Sequence, residues 1–306
     1  MDATTPVIGN ITSIRRALLA WHARNGLRAP WRESGDPYQA LVAAVMAQQT
    51  QMSRVMPSYA RFIAAYPTLE SLAAASVGDV IRTWGGMGYN QRAVRLHRAA
   101  RTIAADGWPR DAAALARIDG IGPFTAAIVA SFAFGVAAAC VDTNVRRVLG
   151  RLAGDASLDG TRLQRLADAA LPARQPARWN QALMDYGARI CTPRPRCDEC
   201  VVARWCPSRE VAAPMVADRR ARYDAPARTR ARSEPAWRGS ARYYRGRIVD
   251  ALRNVPPGEA IALGRLPGLI GDQHDAPSPA DTLEMVRALE RAGLLVLREG
   301  AVALPP

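Results

Sequence analysis

Lysine is missing from this 306-residue chain: all 41 basic residues are arginine. No lysine ε-amine exists to form a Schiff base, so covalent catalysis of that kind is excluded. Histidine is scarce as well, with three in the chain, and His22 and His97 read as helix-surface residues rather than ligands. No apolar run is long enough to span a membrane, and Met1–Asn10 has neither the basic start nor the apolar core of a signal peptide. Those two absences predict a cytoplasmic, nucleoid-associated protein with no membrane partner. Five cysteines, four of them between positions 191 and 206, fit a metal site in a reducing compartment better than a disulfide scaffold.

What the chain does have is positive charge. Its formal net charge is +14 and its pI is near 10.6, a balance that calls for an anionic partner, most often nucleic acid. The preference for arginine over lysine reads as the mark of a GC-rich coding sequence. At this length the chain can bury a substantial core and divide into two or three domains.

Residues 11–190 read as a succession of helices. Apolar faces recur at Ile14, Leu18, Leu19 and Trp21, at Leu41, Val45 and Met46, and between Leu69 and Ile81. Breaks fall at Pro37, Pro67, Gly85-Gly86, Pro109, Gly120-Ile121-Gly122 and Gly154. Few segments alternate with period two, so the fold class is all-α, with Phe124–Val141 as a central buried helix. Residues 209–239 form an Arg/Pro-rich linker that either stays solvated or lies along DNA. In residues 240–306, helical patterns precede two short strands, Leu294–Leu297 and Ala301–Leu304, around a charged glycine turn. That order predicts a small α+β, winged-helix-like tail, which could read DNA or serve as a packing or protein-contact module.

Two stretches carry chemistry. Gly120-Ile121-Gly122 opens a helix through Pro123, Phe124 and Thr125, and a Gly-x-Gly hairpin there exposes backbone N–H groups suited to a phosphate. Twenty residues after Gly122 comes Asp142, heading a basic amphipathic helix with Asn144, Arg146 and Arg147. A carboxylate placed just beyond a phosphate grip can reach the sugar that the grip holds. The second stretch is Cys191-x5-Cys197-x2-Cys200-x5-Cys206. Thiolates bind both zinc and iron–sulfur clusters; one Cys-x-x-Cys pair flanked by single cysteines fits a [4Fe–4S] cubane better than a zinc ribbon. Cys140, inside an apolar run, reads as a core residue.

These features resemble the helix-hairpin-helix (HhH-GPD) DNA glycosylase superfamily over about residues 10–207. Pro30-Trp31-Arg32, Asp36-Pro37-Tyr38, Met46-Ala47-Gln48-Gln49-Thr50-Gln51 and Trp84-Gly85-Gly86-Met87-Gly88-Tyr89 are similar to the adenine DNA glycosylase (MutY) branch. The resemblance implies a two-lobed α-helical domain, residues 1–208, ending in the [4Fe–4S] loop. It acts on double-stranded DNA with a mismatched or damaged base, as a monomer, and flips the target nucleotide into the cleft between the lobes. It makes Asp142 the catalytic carboxylate that stabilises an oxocarbenium-like sugar, and Asn144 the residue that positions it. Gln48 and Gln49 probe the gap left in the duplex, and Tyr89 lies beside the lesion pair. Gly120, Gly122, Phe124, Thr125 and Arg146 contact DNA, and Cys191, Cys197, Cys200 and Cys206 hold the cluster.

Three departures qualify that expectation. Where the family places a Glu that protonates the adenine leaving group, this chain has Ala44; Glu33 and Asp36 are near in sequence but read as surface residues. Phe124 stands where lyase members carry lysine and adenine glycosylases carry a hydroxyl, which leaves a monofunctional hydrolase. The short tail has no counterpart of the family's large 8-oxoguanine-recognising domain, and the first cysteine gap is one residue shorter than the family spacing. Removal of A opposite 8-oxoguanine or G is therefore the leading reading. Two others stand beside it: release of uracil or thymine from a mismatch with G, where a missing acid matters less, and a non-catalytic DNA-damage or structure-binding protein.

Overall fold

The computed structural model of the chain describes residues 7–155, 157–209, 239–271 and 276–306. The expected linker at 209–239 lies outside them apart from its two end residues. The described residues are predominantly helical: α1 (Ile11–Asn25), α2 (Pro30–Glu33), α3 (Pro37–Ala47), α4 (Met52–Ala65), α5 (Leu69–Ala74), α6 (Val77–Thr83), α7 (Gln91–Asp106), α8 (Ala112–Leu115), α9 (Pro123–Phe134), α10 (Thr143–Ala153), α11 (Gly160–Ala170) and α12 (Pro176–Arg189). In the tail come α13 (Ala241–Arg253), β1 (Ile261–Ala262), α14 (Leu266–Ile270), α15 (Pro279–Arg291), β2 (Val296–Arg298) and β3 (Ala301–Ala303).

Local chemistry explains most of these boundaries. Thr68 and Ser71 form a reciprocal capping box on α5, and Ser76, Asp111, Asp142, Ser240 and Ser278 each accept a backbone N–H from the first turn that follows. The helix expected over Phe124–Val141 is shorter: it closes at Gly135, which adopts φ +67° and satisfies the last carbonyls as only a residue free of a Cβ does without cost. Residues 136–141 continue without helix. His97, expected at a surface, is instead buried, with its Nε2 2.9 Å from the Ala75 carbonyl oxygen.

The chain divides into two compact units that interleave in sequence. One draws on residues up to Leu41, on Pro109–Arg117, and on the segment from Gly122 through the cysteine loop. Its core sets Ile14, Leu18 and Trp21 of α1 against Val145, Val148 and Leu149 of α10 and Trp179, Leu183 and Tyr186 of α12. Within it, Arg32 grips Asp185 with two bonds, 2.8 and 3.0 Å long. The Leu27 N–H donates to the same carboxylate at 2.8 Å, and His22 Nε2 lies 3.4 Å away. Burial alone raises the Asp185 pKa, but the nearby His22 ring and the bonds from Arg32 and Leu27 outweigh it and hold the carboxyl well below the usual range.

The second unit contains Val42–Trp108, Ile118–Ile121 and the C-terminal residues. The tail forms a three-stranded antiparallel sheet of order β1-β3-β2, with Ile261 opposite Val302 and Val296 opposite Ala303. Glu299 and Gly300 both take positive φ, as a two-residue hairpin turn of this twist requires. The expected hairpin is present as β2 and β3, with an added strand β1, which is too short for any periodicity to reveal. The tail shares a core with the helices before it: Ile81 and Val94 pack with Tyr244, Ile248, Leu252 and Val286. Arg253 of α13 donates to the Ile81 carbonyl and to Asn90 Oδ1, at 2.9 and 2.7 Å.

Replacing Asp185 with Asn strands a buried guanidinium and is expected to cost about 3–5 kcal/mol of stability near neutral pH. Because the folded-state pKa is depressed, the contribution of Asp185 is full above the ordinary carboxylate pKa of about 4 and is lost as pH falls toward the folded value. Urea unfolding followed from neutral to acid pH should show wild type and D185N converging; curves that stay parallel would contradict this account.

Candidate active site

Asp142 is the N-cap of α10, and both of its oxygens are engaged. Oδ1 accepts the Val145 N–H at 2.7 Å and Oδ2 accepts the Asn144 side-chain N–H at 3.0 Å. Asn144 is held in turn: Arg147 Nη2 donates to Asn144 Oδ1 at 2.8 Å and to the Gly187 carbonyl at 2.7 Å, while its Nε donates to the Cys191 carbonyl at 2.6 Å. Glycine at 187 permits this approach, since a Cβ there would sit 2.7 Å from Asn144 Cβ and 2.9 Å from its carbonyl oxygen. Burial raises the Asp142 pKa, opposed by the Val145 and Asn144 hydrogen bonds and by the Arg147 charge. The result is a half-buried carboxylate fixed in one orientation, suited to stabilising a positive charge beside it.

The two glycines of the Gly120-Ile121-Gly122 turn stand in different surroundings. Gly120 has φ +93°, and a Cβ there would meet the Arg95 carbonyl oxygen at 2.7 Å. Gly122 is exposed and caps α9, with Pro123 at the first helical position. The Thr125 side chain is buried, at 1% exposure, so what it can offer DNA is its backbone N–H in the first turn, alongside that of Phe124. Phe124 and Arg146 are half-buried, and Arg146 Nε is buried without a hydrogen-bond partner.

In the other unit, Gln48 and Gln49 follow the end of α3, and Tyr89 precedes α7. Gln49 and Tyr89 take φ values of +53° and +45°, a left-handed geometry that costs a side-chain-bearing residue roughly 1–2 kcal/mol. Such strain persists where surroundings over-determine it, and here Arg92 does so. Buried at 7% exposure, it donates from Nη1 to the carbonyls of Val45, Met46 and Gln48 and from Nη2 to Thr50 Oγ1 and the carbonyls of Met87 and Gly88. Burial lowers its pKa to about 10, which leaves it charged at neutral pH. Its guanidinium also lies 5.5 Å from the Tyr89 ring centre, and Tyr89 is 49% exposed. Ala44 is buried in α3 between Ala43 and Val45, with no carboxylate at that position.

All four loop cysteines are free thiols and half-buried. Arg151 donates to Cys191 Sγ at 3.3 Å and the Tyr186 hydroxyl to Cys200 Sγ at 3.1 Å. Burial raises the Cys191 and Cys206 thiols, with Arg151 and Arg147 opposing it at Cys191; Cys206 also feels the charges of Cys191, Cys200 and Cys197. Among the described residues no three His, Cys, Asp or Glu side chains are arranged as a metal-ion site. Three arginines, Arg92, Arg147 and Arg151, organise these segments, and sequence reasoning gave none of them that task. Arg147 stands beside Arg146 as an apparent equal, and Arg92 stands among Arg95 and Arg98 with no local signal to set it apart.

Residues 42–169 match the model of the HhH-GPD superfamily of base excision DNA repair proteins. The chain is 38% identical over 302 residues to the adenine DNA glycosylase of Mycobacterium tuberculosis, covering 94% of this chain and 92% of that protein. It is 40% identical over 249 residues to the adenine DNA glycosylase of Mycolicibacterium smegmatis, covering 78% and 79% respectively. Among solved structures it is similar to a thermostable thymine-DNA glycosylase, with a TM-score of 0.62 and 30% identity over 66% of this chain and 97% of that one. It shares its fold with endonuclease III in a DNA complex, at a TM-score of 0.57 and 23% identity, over 66% of this chain and 97% of that one.

Exchanging Arg92 for Met removes the donor to several buried carbonyls and is expected to destabilise the protein by about 2 kcal/mol or more. Amide exchange should accelerate first at 48–50 and 86–90, before the amides of α10 and α12. Uniform acceleration, or none, would show that Arg92 does not set the Gln49 and Tyr89 conformations.

Proposed function

The chain belongs to the adenine DNA glycosylase family of the helix-hairpin-helix base excision repair superfamily, and on that premise we propose that it hydrolyses the N-glycosidic bond of adenine opposite 8-oxoguanine or G. The observation that carries this reading is the clamped carboxylate: Asp142, fixed by Val145 and Asn144, with Asn144 fixed by Arg147. In the reaction the C1′–N9 bond breaks with its electron pair leaving on adenine, and the ionised Asp142 stabilises the sugar cation. Water then attacks C1′ and its proton passes, through solvent, to the departed adenine anion, so that neutral adenine and an abasic site remain.

The other roles follow from where each residue stands. The N–H groups of Phe124 and Thr125 hold a phosphate at the start of α9, and Arg146 lies one turn beyond Asp142 for another. Gln48, Gln49 and Tyr89 occupy the gap and the side of the unexcised base; the strain at Gln49 and Tyr89 pre-forms that edge at the expense of stability. With no lysine anywhere, the abasic product is released without Schiff-base cleavage of the strand.

By donor type Cys191, Cys197, Cys200 and Cys206 are the thiols that would hold a [4Fe–4S] cluster: all four are free and lie on one short loop, and two are hydrogen-bonded at sulfur by Arg151 and Tyr186. When bound, the cluster supplies a cross-link between the turns of that loop. Arg147 then ties the loop carbonyl of Cys191 to Asn144, so loop integrity supports the orientation of Asp142. In domain terms residues 1–208 carry this chemistry and residues 240–306 form the winged-helix-like unit.

Ala44 favours a second reading. Adenine leaves poorly unless protonated, and a positioned acid contributes about 10²–10⁴-fold; a pyrimidine leaves as an anion held by hydrogen bonds and needs the acid less. Thymine or uracil opposite G is therefore the competing substrate.

Single-turnover base release from duplexes bearing A opposite 8-oxoguanine, A opposite G, U opposite G and T opposite G separates the readings. Adenine release that vanishes in D142N and rises about 10²-fold or more in A44E is the expected result. Because the Asp142 carboxyl is raised, its active ionised form is lost as pH falls through that raised value, so the acid limb should lie above the ordinary carboxylate range. Exclusive pyrimidine release would transfer the assignment to a mismatch glycosylase. Tight lesion binding with no release would leave the non-catalytic reading.

A further inference from the structure

Within the second unit a cavity of about 850 Å³ lies between Gln48, Gln49 and Tyr89 on one side and the tail helix α13 on the other. Six arginines line it, Arg54, Arg92, Arg95, Arg242, Arg245 and Arg253, against the single carboxylate of Asp250. Arg92 and Arg54 donate to loop carbonyls and Arg253 to Ile81 and Asn90, while Arg245 donates from Nε to the Ala241 carbonyl of its own helix at 3.3 Å. Arg95, Arg242 and Arg245 are exposed. Arg242 and Arg245 are three residues apart and so share one face of α13, and the Arg242 guanidinium sits 4.8 Å from the Tyr89 ring centre.

α13 cannot drift from this position cheaply, because Tyr244, Ile248 and Leu252 bury its other face in the core that includes Ile81 and Val94. A concave surface so rich in guanidinium, with one carboxylate to offset it, strongly favours a polyanion. We propose that the tail helix α13 supplies a phosphate-binding wall, Arg242 and Arg245, that holds the backbone of the DNA strand carrying the unexcised base. The choice of strand rests on the assignment of Gln48, Gln49 and Tyr89 given above; the choice of DNA phosphate rests on the cavity. On this account the winged-helix unit contacts DNA through its first helix, and the face that packs against Ile81 and Val94 sets the register of that contact.

The test uses the full chain and a duplex with a tetrahydrofuran abasic analogue opposite G, measured across a salt series. Wild type is compared with R242A/R245A and with R242Q/R245Q, which keeps side-chain bulk should the alanine pair disturb α13; thermal melts report folding. The variants should bind at least tenfold more weakly, and the slope of log K against log salt should shrink by about one for each phosphate that is no longer neutralised. Methylphosphonate linkages flanking the G should weaken wild type while leaving the variants' affinity unchanged. An unchanged slope, or equal loss on charged and neutralised strands, overturns the proposal; a response confined to linkages on the other strand overturns the strand assignment. Wild type that shows no preference for the lesion over plain duplex counts against the glycosylase reading, while the slope still decides whether α13 grips phosphate.

Discussion

The segments that bear the proposed chemistry of this protein are irregular, and buried irregular backbone must find donors for its carbonyls. Arginine supplies them. Arg92 satisfies carbonyls at 45, 46, 48, 87 and 88, and Arg147 those of Gly187 and Cys191. Arg151 does the same for Thr192 and Pro193. A guanidinium is planar and carries five N–H groups in a fixed fork, whereas an ammonium offers three on a freely turning stem. One arginine can therefore bind several carbonyls from different turns and hold them in a set relation. An all-arginine complement, whatever its origin in the coding sequence, thus serves here as internal scaffolding as well as surface charge.

That scaffolding connects stability to geometry in the proposed site. Asp142 is oriented by Asn144, Asn144 by Arg147, and Arg147 by carbonyls on α12 and the cysteine loop. Each bond alone contributes about 1 kcal/mol net, too little to explain a fixed carboxylate. The chain of bonds is stronger because its members share a common anchor: the packing of α10 on α12 that Gly187 permits. Lengthening that approach by the width of a methyl group would displace Asn144 and leave Asp142 with its N-cap bond alone.

How far the sequence revealed this depends on whether the information is local. Asp142 as the head of a basic helix was legible, since an N-cap carboxylate and the apolar positions Val145, Val148, Leu149 and Leu152 lie within one turn or three of each other. The membership of Cys191, Cys197, Cys200 and Cys206 in one loop was legible for the same reason. The burial of Arg147 was not, because it is fixed by Gly187 and Cys191, some 40 residues later. The end of α9 at Gly135 went unseen because the apolar run continues to Val141 and glycine is tolerated inside many helices. In the tail, α15 and the Glu299-Gly300 turn carry strong local signals, while β1 has two residues and exists through its pairing with β3. Which surface α13 faces was beyond reach, since Tyr89 and Asn90 stand about 150 residues upstream.

Ala44 sets the chemical question that the fold leaves sharpest. Glycosidic cleavage needs help at both ends of the breaking bond: charge stabilisation on the sugar and activation of the leaving base. On the proposed function the contacts around Asp142 serve the first end, whereas Ala44 is a buried residue of α3 with no carboxyl to offer the second. On the proposed function, with Asp142 serving the sugar end, the rate would be governed by how readily the departing base carries its electron pair. The substrate range is then set by leaving-group stability, and bases that leave without a protein acid gain relative to unprotonated adenine. A carboxyl restored at 44 would act on the leaving end alone, so its effect should fall on adenine far more than on a pyrimidine.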